Sequence, residues 1–121
     1  MASIPSSDPN DGADWDVDGS APDVVVTLSC PKNGSTVFVS TPEVSSYTPT
    51  WTTGACEATA EELMKSPMNI YVIDVDAFFD DEIFSGPYTF KAEDFDKPAV
   101  EIPISASDST SVLRLQISRR L

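Results

Sequence analysis

The chain has 121 residues, and its 20 acidic and seven basic side chains give a formal net charge of −13 in the absence of any histidine. This charge repels nucleic acid and anionic membranes, and the lack of histidine excludes most zinc sites and imidazole-based catalysis. The length predicts a single domain over residues 1–121, and no stretch of about 18 residues is apolar enough to span a membrane.

The first predicted elements form a β-hairpin. Residues 1–22 are rich in proline, glycine and aspartate, which predicts loop, with residues 1–13 as loop or a truncated edge strand. Residues 23–30 and 35–44 are rich in Val, Thr and Phe and flank the turn sequence PKNG, a pattern typical of a hairpin. The segment SSYTPTW then carries the chain across, with Trp51 as the expected core anchor.

A short helix is predicted near residues 59–66, because Thr59 can cap the amide three residues on while Glu62 reaches back in a capping box. Pro67 ends this segment, and the apolar run MNIYVIDVD that follows is expected to be the central strand of a sheet. Further strands are predicted over residues 86–92, 99–104 and 111–119. This order indicates an all-β fold, an antiparallel β-sandwich of seven or eight strands with one short helix.

The two cysteines, Cys30 and Cys56, are expected to form a disulfide. Both adjoin predicted β segments, and a chain without histidine offers them no usual metal site. The alternative is a pair of buried thiols. A disulfide favours an extracytoplasmic location, whether secreted, periplasmic or at the cell surface, because the cytoplasm keeps thiols reduced.

Acidic residues are concentrated in two short segments. The first, DWDVDGSAPD over residues 14–23, has the aspartate spacing and the glycine with which a helix-loop-helix calcium loop begins. Val25 stands where the closing glutamate of that loop should be, and neither flank is helical. The second segment holds five carboxylates within residues 74–82, and two of them, Asp74 and Asp76, leave the same face at the end of a strand.

These two acidic segments would repel each other if they met without a cation. Ca²⁺ takes six to eight oxygen ligands at about 2.3–2.6 Å in a flexible shell, and it suits carboxylate-rich loops better than Mg²⁺ does. The expected cofactor is therefore calcium.

Three segments follow one another in the chain in the order DWDVDGSAPDVVVTL, YTPTW and IYVIDVDAFFDDEIFSG. In this order the chain resembles the C2 domain, a calcium-dependent phospholipid-binding β-sandwich. The likeness covers residues 14–120, and it implies a C2-like, Greek-key fold of a divergent bacterial type with calcium bound between two loops. The metal ligands that it implies are Asp16, Asp18 and Asp23 in the first loop and, in the second, Asp74 and Asp76 with Asp81 or Glu82 as the later acid.

The same resemblance places Phe78 at a loop tip, where an aromatic ring can insert into a membrane interface, and Phe79 and Trp15 are further tip candidates. These rings could instead fold back over the rim of the sandwich. We expect a calcium-binding module that associates through calcium with anionic phospholipid, as a peripheral protein at most, or with a protein partner. The alternative is a calcium-stabilised extracellular adhesion or accessory module that binds carbohydrate or protein. An open sheet edge could also pair with another chain.

Catalysis is not expected, because it would have to rest on carboxylates, and clustered acids bind cations more readily than they divide into an acid and a base. Nearer the end of the chain, Glu93, Asp94 and Asp96 alternate with Lys91 and Lys97. This charge pattern predicts an ordinary solvated loop.

Overall fold

The computed structural model describes residues 21–75, 81–104 and 111–118. In chain order the elements are β1 (Asp23–Lys32), β2 (Ser35–Ser40), β3 (Val44–Ser45), α1 (Ala60–Lys65), β4 (Met68–Asp74), β5 (Asp81–Tyr88), a 3-10 helix (Ala92–Asp96), β6 (Ala99–Pro103) and β7 (Val112–Gln116). The larger sheet has the order β2-β1-β4-β5, with β3 also paired to β1, and the smaller sheet pairs β6 with β7. The predicted all-β antiparallel sandwich with one short helix is confirmed.

The two sheets share one apolar core because their strands bury alternate side chains. In β4 the residues Met68, Ile70 and Val72 are buried, whereas Asn69 and Tyr71 between them are exposed. The other strands and their flanks complete the core with Val24, Val26, Leu28, Ile83, Phe90, Val100, Ile102, Ile104 and Leu113. We call the face of the larger sheet that meets this core its inner face, and the opposite one its outer face.

The hairpin of β1 and β2 has a two-residue turn. Its central residues, Asn33 and Gly34, have φ values of 53° and 79°. Positive φ at both positions is typical of a type I′ turn, whose twist matches that of the flanking strands. The turn is therefore shorter than the predicted four residues, and Pro31 and Lys32 belong to β1.

The predicted strand over residues 35–44 is interrupted and splits into β2 and β3. At the break, the Thr41 amide donates to the Val26 carbonyl at 2.9 Å, and the Thr41 hydroxyl accepts from the Val26 amide at 3.0 Å. Pro42 follows and has no N–H with which to continue the ladder. β3 then pairs with the first two residues of β1.

β4 lies between β1 and β5, which confirms the prediction of a central strand. β5 spans Asp81–Tyr88, so the predicted boundaries of residues 86–92 are wrong. Pairing with β4 starts at Asp74 opposite Asp81 and continues to Met68 opposite Tyr88, with a bulge near Val72. Acidic residues are uncommon in strands, so the sequence indicated a loop at the start of β5. Pairing with the full length of the central strand makes this segment a strand instead.

The helix α1 forms where it was predicted, and Thr59 Oγ1 accepts from the Glu62 amide at 3.1 Å. The second half of the capping box is absent, because Glu62 Oε1 instead accepts from the Asn33 amide at 3.2 Å. Glu62 thereby joins the helix to the β1–β2 turn. None of the helices within the described ranges has the length and apolar character that a membrane crossing requires.

The disulfide between Cys30 and Cys56 is present, with the two Cα atoms 5.7 Å apart, and it joins β1 to the segment that precedes α1. Trp51, in the same connection, is half-buried, and its Nε1 donates to the Pro42 carbonyl at 2.8 Å. Trp51 thus packs against the core, as predicted, but it lies at the core's margin, where its indole N–H can find a partner.

Candidate functional site

Three strands bring acidic residues to one end of the larger sheet. β1 begins there at Asp23, β4 ends there at Asp74, and β5 begins there with Asp81 and Glu82. Val24 and Asp81 both lie directly opposite Asp74, one on each neighbouring strand. We call the four acidic residues Asp23, Asp74, Asp81 and Glu82 the acidic sheet end.

Asp74 is the buried member of the acidic sheet end. It is 0% exposed and lies in phase with Ile70 and Val72 on the inner face. Its Oδ1 accepts a hydrogen bond of 2.8 Å from the Asp23 backbone amide. Because a buried carboxylate is costly unless hydrogen bonds or opposite charge stabilise it, an acid at the end of an otherwise apolar strand face is a candidate functional group.

Asp81 is the cross-strand neighbour of Asp74, and it is half-buried. Side chains at directly opposite positions leave the same face, with Cβ atoms about 4.5–5.5 Å apart, and like charges placed there destabilise the pair. A cation bound by both carboxylates would replace this repulsion with attraction. The structure therefore brings together two of the predicted ligands.

Asp23 contacts this site through its backbone, and its carboxylate points elsewhere. In β1 it precedes the inward-facing Val24, and its carboxylate accepts a hydrogen bond from Ser45 Oγ on β3. Its amide donates to Asp74, and its carbonyl accepts from the Val75 amide at 2.8 Å. Asp23 therefore holds β1 against the end of β4.

Glu82 is exposed and lies opposite Ile73, on the outer face of the sheet. Of the four acids at this end, only Asp74 and Asp81 thus share the inner face. Within residues 21–75, 81–104 and 111–118, no group of three or more Asp, Glu, Cys or His side chains is placed to hold a metal ion.

Six residues that the sequence predicted as functional lie outside the described residues. They are the metal ligands Asp16, Asp18 and Asp76 and the membrane-tip candidates Trp15, Phe78 and Phe79. Their roles stay predictions. In sequence, residues 76–80 connect the end of β4 to the start of β5, and residues 14–20 lead into β1.

Asp94 was predicted to lie in a solvated loop, and this prediction is wrong, because the residue is only 4% exposed. The 3-10 helix turns Asp94 back toward its own start, where Oδ2 accepts from the Lys91 amide at 2.9 Å and from the Tyr88 hydroxyl at 2.8 Å. Lys97 Nζ lies 4.0 Å from the other carboxylate oxygen. The sequence signal for this contact was the acid three residues after Lys91, because the acidic side chain of a capping box has this spacing and accepts from the backbone amide of the N-cap residue.

The pKa values around Asp94 follow from these contacts. The hydrogen bond from the Lys91 amide lowers the pKa of Asp94, with further lowering by the Tyr88 hydroxyl and by the charges of Lys97 and Lys91, against desolvation, which raises it. Burial raises the pKa of Tyr88 to about 12, and the hydrogen bond to Asp94 and the negative charge there add to the effect. Asp94 is therefore held as a charged, hydrogen-bonded anchor of the fold.

The chain matches no protein-family model, no curated protein and no solved structure. The likeness to the C2 family accordingly stays a prediction made from the sequence.

Proposed function

We propose that this protein is a non-catalytic, calcium-binding β-sandwich module of the C2-like kind, with its ion at the acidic sheet end. The observation that supports this most is the complete burial of Asp74 directly opposite Asp81. Two carboxylates on one face at neighbouring strand positions repel each other, and a divalent cation removes this cost.

The composition of the adjoining segments supports calcium over other ions. Asp74 and Asp81 offer hard carboxylate oxygens, the donors that calcium prefers, and a calcium shell needs six to eight of them. The segments that lead to and from this end in sequence carry further acids, among them Asp16, Asp18 and Asp76. These residues would complete the shell in the proposed site.

A role in membrane association follows from the same charges. At a net charge of −13 the free protein is repelled by an anionic leaflet, and bound calcium would reverse the local sign. A calcium ion with open coordination positions can accept oxygens from lipid headgroups, while Phe78 would add apolar contact. The disulfide supports a location outside the cytoplasm, with peripheral attachment to the membrane.

Calorimetric titration of the full chain with Ca²⁺, and with Mg²⁺ as a second titrant, tests the ion site. We expect saturable calcium binding that Asp74→Asn abolishes, because the substitution keeps the shape and the acceptor for the Asp23 amide but removes the buried charge. Glu93→Gln, an exposed acid on the 3-10 helix, serves as the matched control and should bind as the wild type does. Absence of heat with calcium, or equal binding by the Asp74→Asn variant, would refute the proposed site.

Sedimentation with phosphatidylserine vesicles tests the membrane role separately. The wild type should sediment with these vesicles in calcium, remain in solution in chelator, and remain in solution with phosphatidylcholine vesicles. If the protein binds calcium but does not sediment with the anionic vesicles, the ion has a structural role. The protein is then the adhesion or accessory module that the sequence offers as the alternative.

A further inference from the structure

A groove of about 740 Å³ lies on the outer face of the larger sheet, away from the acidic sheet end. Its floor consists of residues from β1, β2 and β4, and α1 with its flanks forms one wall. The residues that matter here are Ser29, Thr36, Phe38, Glu62, Asn69 and Tyr71, all of which line it. The hydrogen bond from the Asn33 amide to Glu62 fixes the wall to the hairpin turn.

Two aromatic side chains are exposed on this floor. Phe38 is 65% exposed and Tyr71 is 38% exposed. Phe38 lies opposite Ser29, and Tyr71 lies opposite Thr27, so the two rings flank β1 on a diagonal. A strand spacing of about 4.8 Å and a rise of about 3.4 Å per residue put their Cα atoms roughly 12 Å apart. Exposed rings on a groove floor favour a ligand that offers apolar faces for them to cover.

Each ring has an exposed polar neighbour two residues away on the same face of its own strand: Thr36 beside Phe38 on β2, and Asn69 beside Tyr71 on β4. The exposed Asn69 side chain and the Thr36 hydroxyl supply hydrogen-bond donors and acceptors at this floor. Asn69 is held in place because its backbone amide donates to Ser29 Oγ at 2.8 Å, across the β1–β4 ladder. The groove thus places two aromatic faces next to groups that can both donate to and accept from hydroxyl groups.

The charges in the groove favour a neutral ligand. Its charged residues are two basic and two acidic side chains on and near α1, so they carry no net charge: Lys32, Lys65, Glu61 and Glu62. The protein as a whole, at −13, repels polyanions. A peptide strand is not favoured on this floor, because the main-chain groups of β1 and β4 already pair in the sheet; an added strand would have to pair at the edge strand β2, beside the floor.

From these observations we infer that the outer-face groove binds a neutral oligosaccharide long enough to reach both rings. Pyranose rings have apolar faces that stack on aromatic side chains and hydroxyl groups that both donate and accept hydrogen bonds. This activity is independent of the proposed calcium site, which lies at another place on the sheet.

Titration of the ¹⁵N-labelled full chain with five neutral hexasaccharides, one at a time, tests the inference. The probes are cellohexaose, laminarihexaose, xylohexaose, mannohexaose and chitohexaose, each raised to about 10 mM, which is ten times the dissociation constant of a millimolar binder. At least one should shift the amide signals of Phe38, Asn69 and Tyr71, in chelator as in calcium. Failure of the calcium proposal would leave this result unchanged.

Phe38→Ala and Tyr71→Ala should each weaken that binding about tenfold, a loss of about 1.4 kcal/mol. Both side chains are exposed, so the melting temperatures should stay close to that of the wild type. Val37→Ala is the matched control, since Val37 is exposed on the same strand but faces the other way. Three results would each overturn the inference. They are the absence of shifts with all five sugars, shifts that persist in the variant that carries both Phe38→Ala and Tyr71→Ala, and self-association through this face that Phe38→Ala abolishes.

Discussion

Two buried aspartates of this protein lie beside side chains of opposite charge. Asp94 accepts hydrogen bonds from the Lys91 amide and the Tyr88 hydroxyl, and the ammonium of Lys97 is 4.0 Å away. Asp74 accepts from the Asp23 amide, and its cross-strand neighbour is a second acid, Asp81. The described neighbours of Asp94 include an ammonium group, and those of Asp74 include a second carboxylate.

The difference separates a structural acid from a candidate ligand. Burial removes water from both carboxylates, so each must be compensated by hydrogen bonds or by positive charge. At Asp94 the compensating groups are the two residues that cap the 3-10 helix, Lys91 and Lys97, and Tyr88 at the end of β5. At Asp74 we propose that calcium supplies the positive charge, and this contrast can be tested by substitution.

The largest expected effect is the loss of stability on replacing Asp94 by Ala. Two hydrogen bonds to a charged, buried acceptor are removed, and the Tyr88 hydroxyl loses its partner, so the free energy of unfolding should fall by about 3 kcal/mol. Urea denaturation measures the change. Glu93→Ala, on the same helix but exposed, should change stability by no more than about 0.5 kcal/mol, and equal losses in the two variants would contradict the assignment.

The stability of the protein should depend on pH through the titration of the Asp94 carboxyl group. The folded-state pKa of Asp94 lies below its ordinary value of 3.8, so its contribution is complete above that pH and is lost as the pH falls through the folded-state pKa. Asp94→Asn removes this titration. Between neutral pH and pH 3, the stability difference between wild type and Asp94→Asn should therefore shrink, and a difference that does not vary over this range would contradict the pKa shift.

The next effect concerns Asp74 and depends on calcium. At 100 times its dissociation constant, an ion that binds only the folded state adds about 2.7 kcal/mol to the free energy of unfolding. The wild type should gain this amount in calcium, whereas Asp74→Asn should gain nothing and, in chelator, should be at least as stable as the wild type because the repulsion from Asp81 is relieved. Thermal melts of both proteins with calcium and with chelator check this. A strong loss of stability for Asp74→Asn in chelator would show that Asp74 resembles Asp94.

The smallest effect is expected for Tyr88→Phe, which removes the hydroxyl that donates to Asp94. At neutral pH the cost should be about 1.5 kcal/mol. The pKa of Tyr88 is raised from 10.0 to about 12, so the stabilising, protonated form is complete below pH 10 and is lost as the pH rises toward 12. Alkaline denaturation should show this loss in the wild type and not in the variant. Tyr71→Phe, with an exposed ring, is the control and should retain the profile of the wild type.

Strong local patterns predicted their elements well. Four predicted features form: the apolar strand β4, the hairpin of β1 and β2, the cap of α1 by Thr59 and the disulfide between Cys30 and Cys56. Each of these depends on a few neighbouring residues or on a scarce residue type with few uses. The sequence also pointed to Asp74 and Asp81, because a dense acidic segment at the end of a strand is visible without any contact map.

Other features depended on partners distant in the chain. β5 starts at Asp81 because β4 offers its full length for pairing, and a strand cannot be delimited without knowledge of its neighbour. Glu62 turns from its own helix cap to the Asn33 amide because the helix is placed beside the hairpin turn. The burial of Asp94 and the alignment of Phe38 with Tyr71 arise in the same way, from packing and register.

The acidity of this protein, its lack of histidine and its strand-rich character follow from the residues alone, because charge is a sum over residues and strand patterning is local. Which acids lie on the inner face and which on the outer face depends on how the strands pair. Asp74 and Asp81 share the inner face because strand register makes them opposite, whereas Glu82, one residue further on, lies on the other face. A shift of one residue in a strand reverses the direction of a side chain, and that register is fixed by pairing across the sheet.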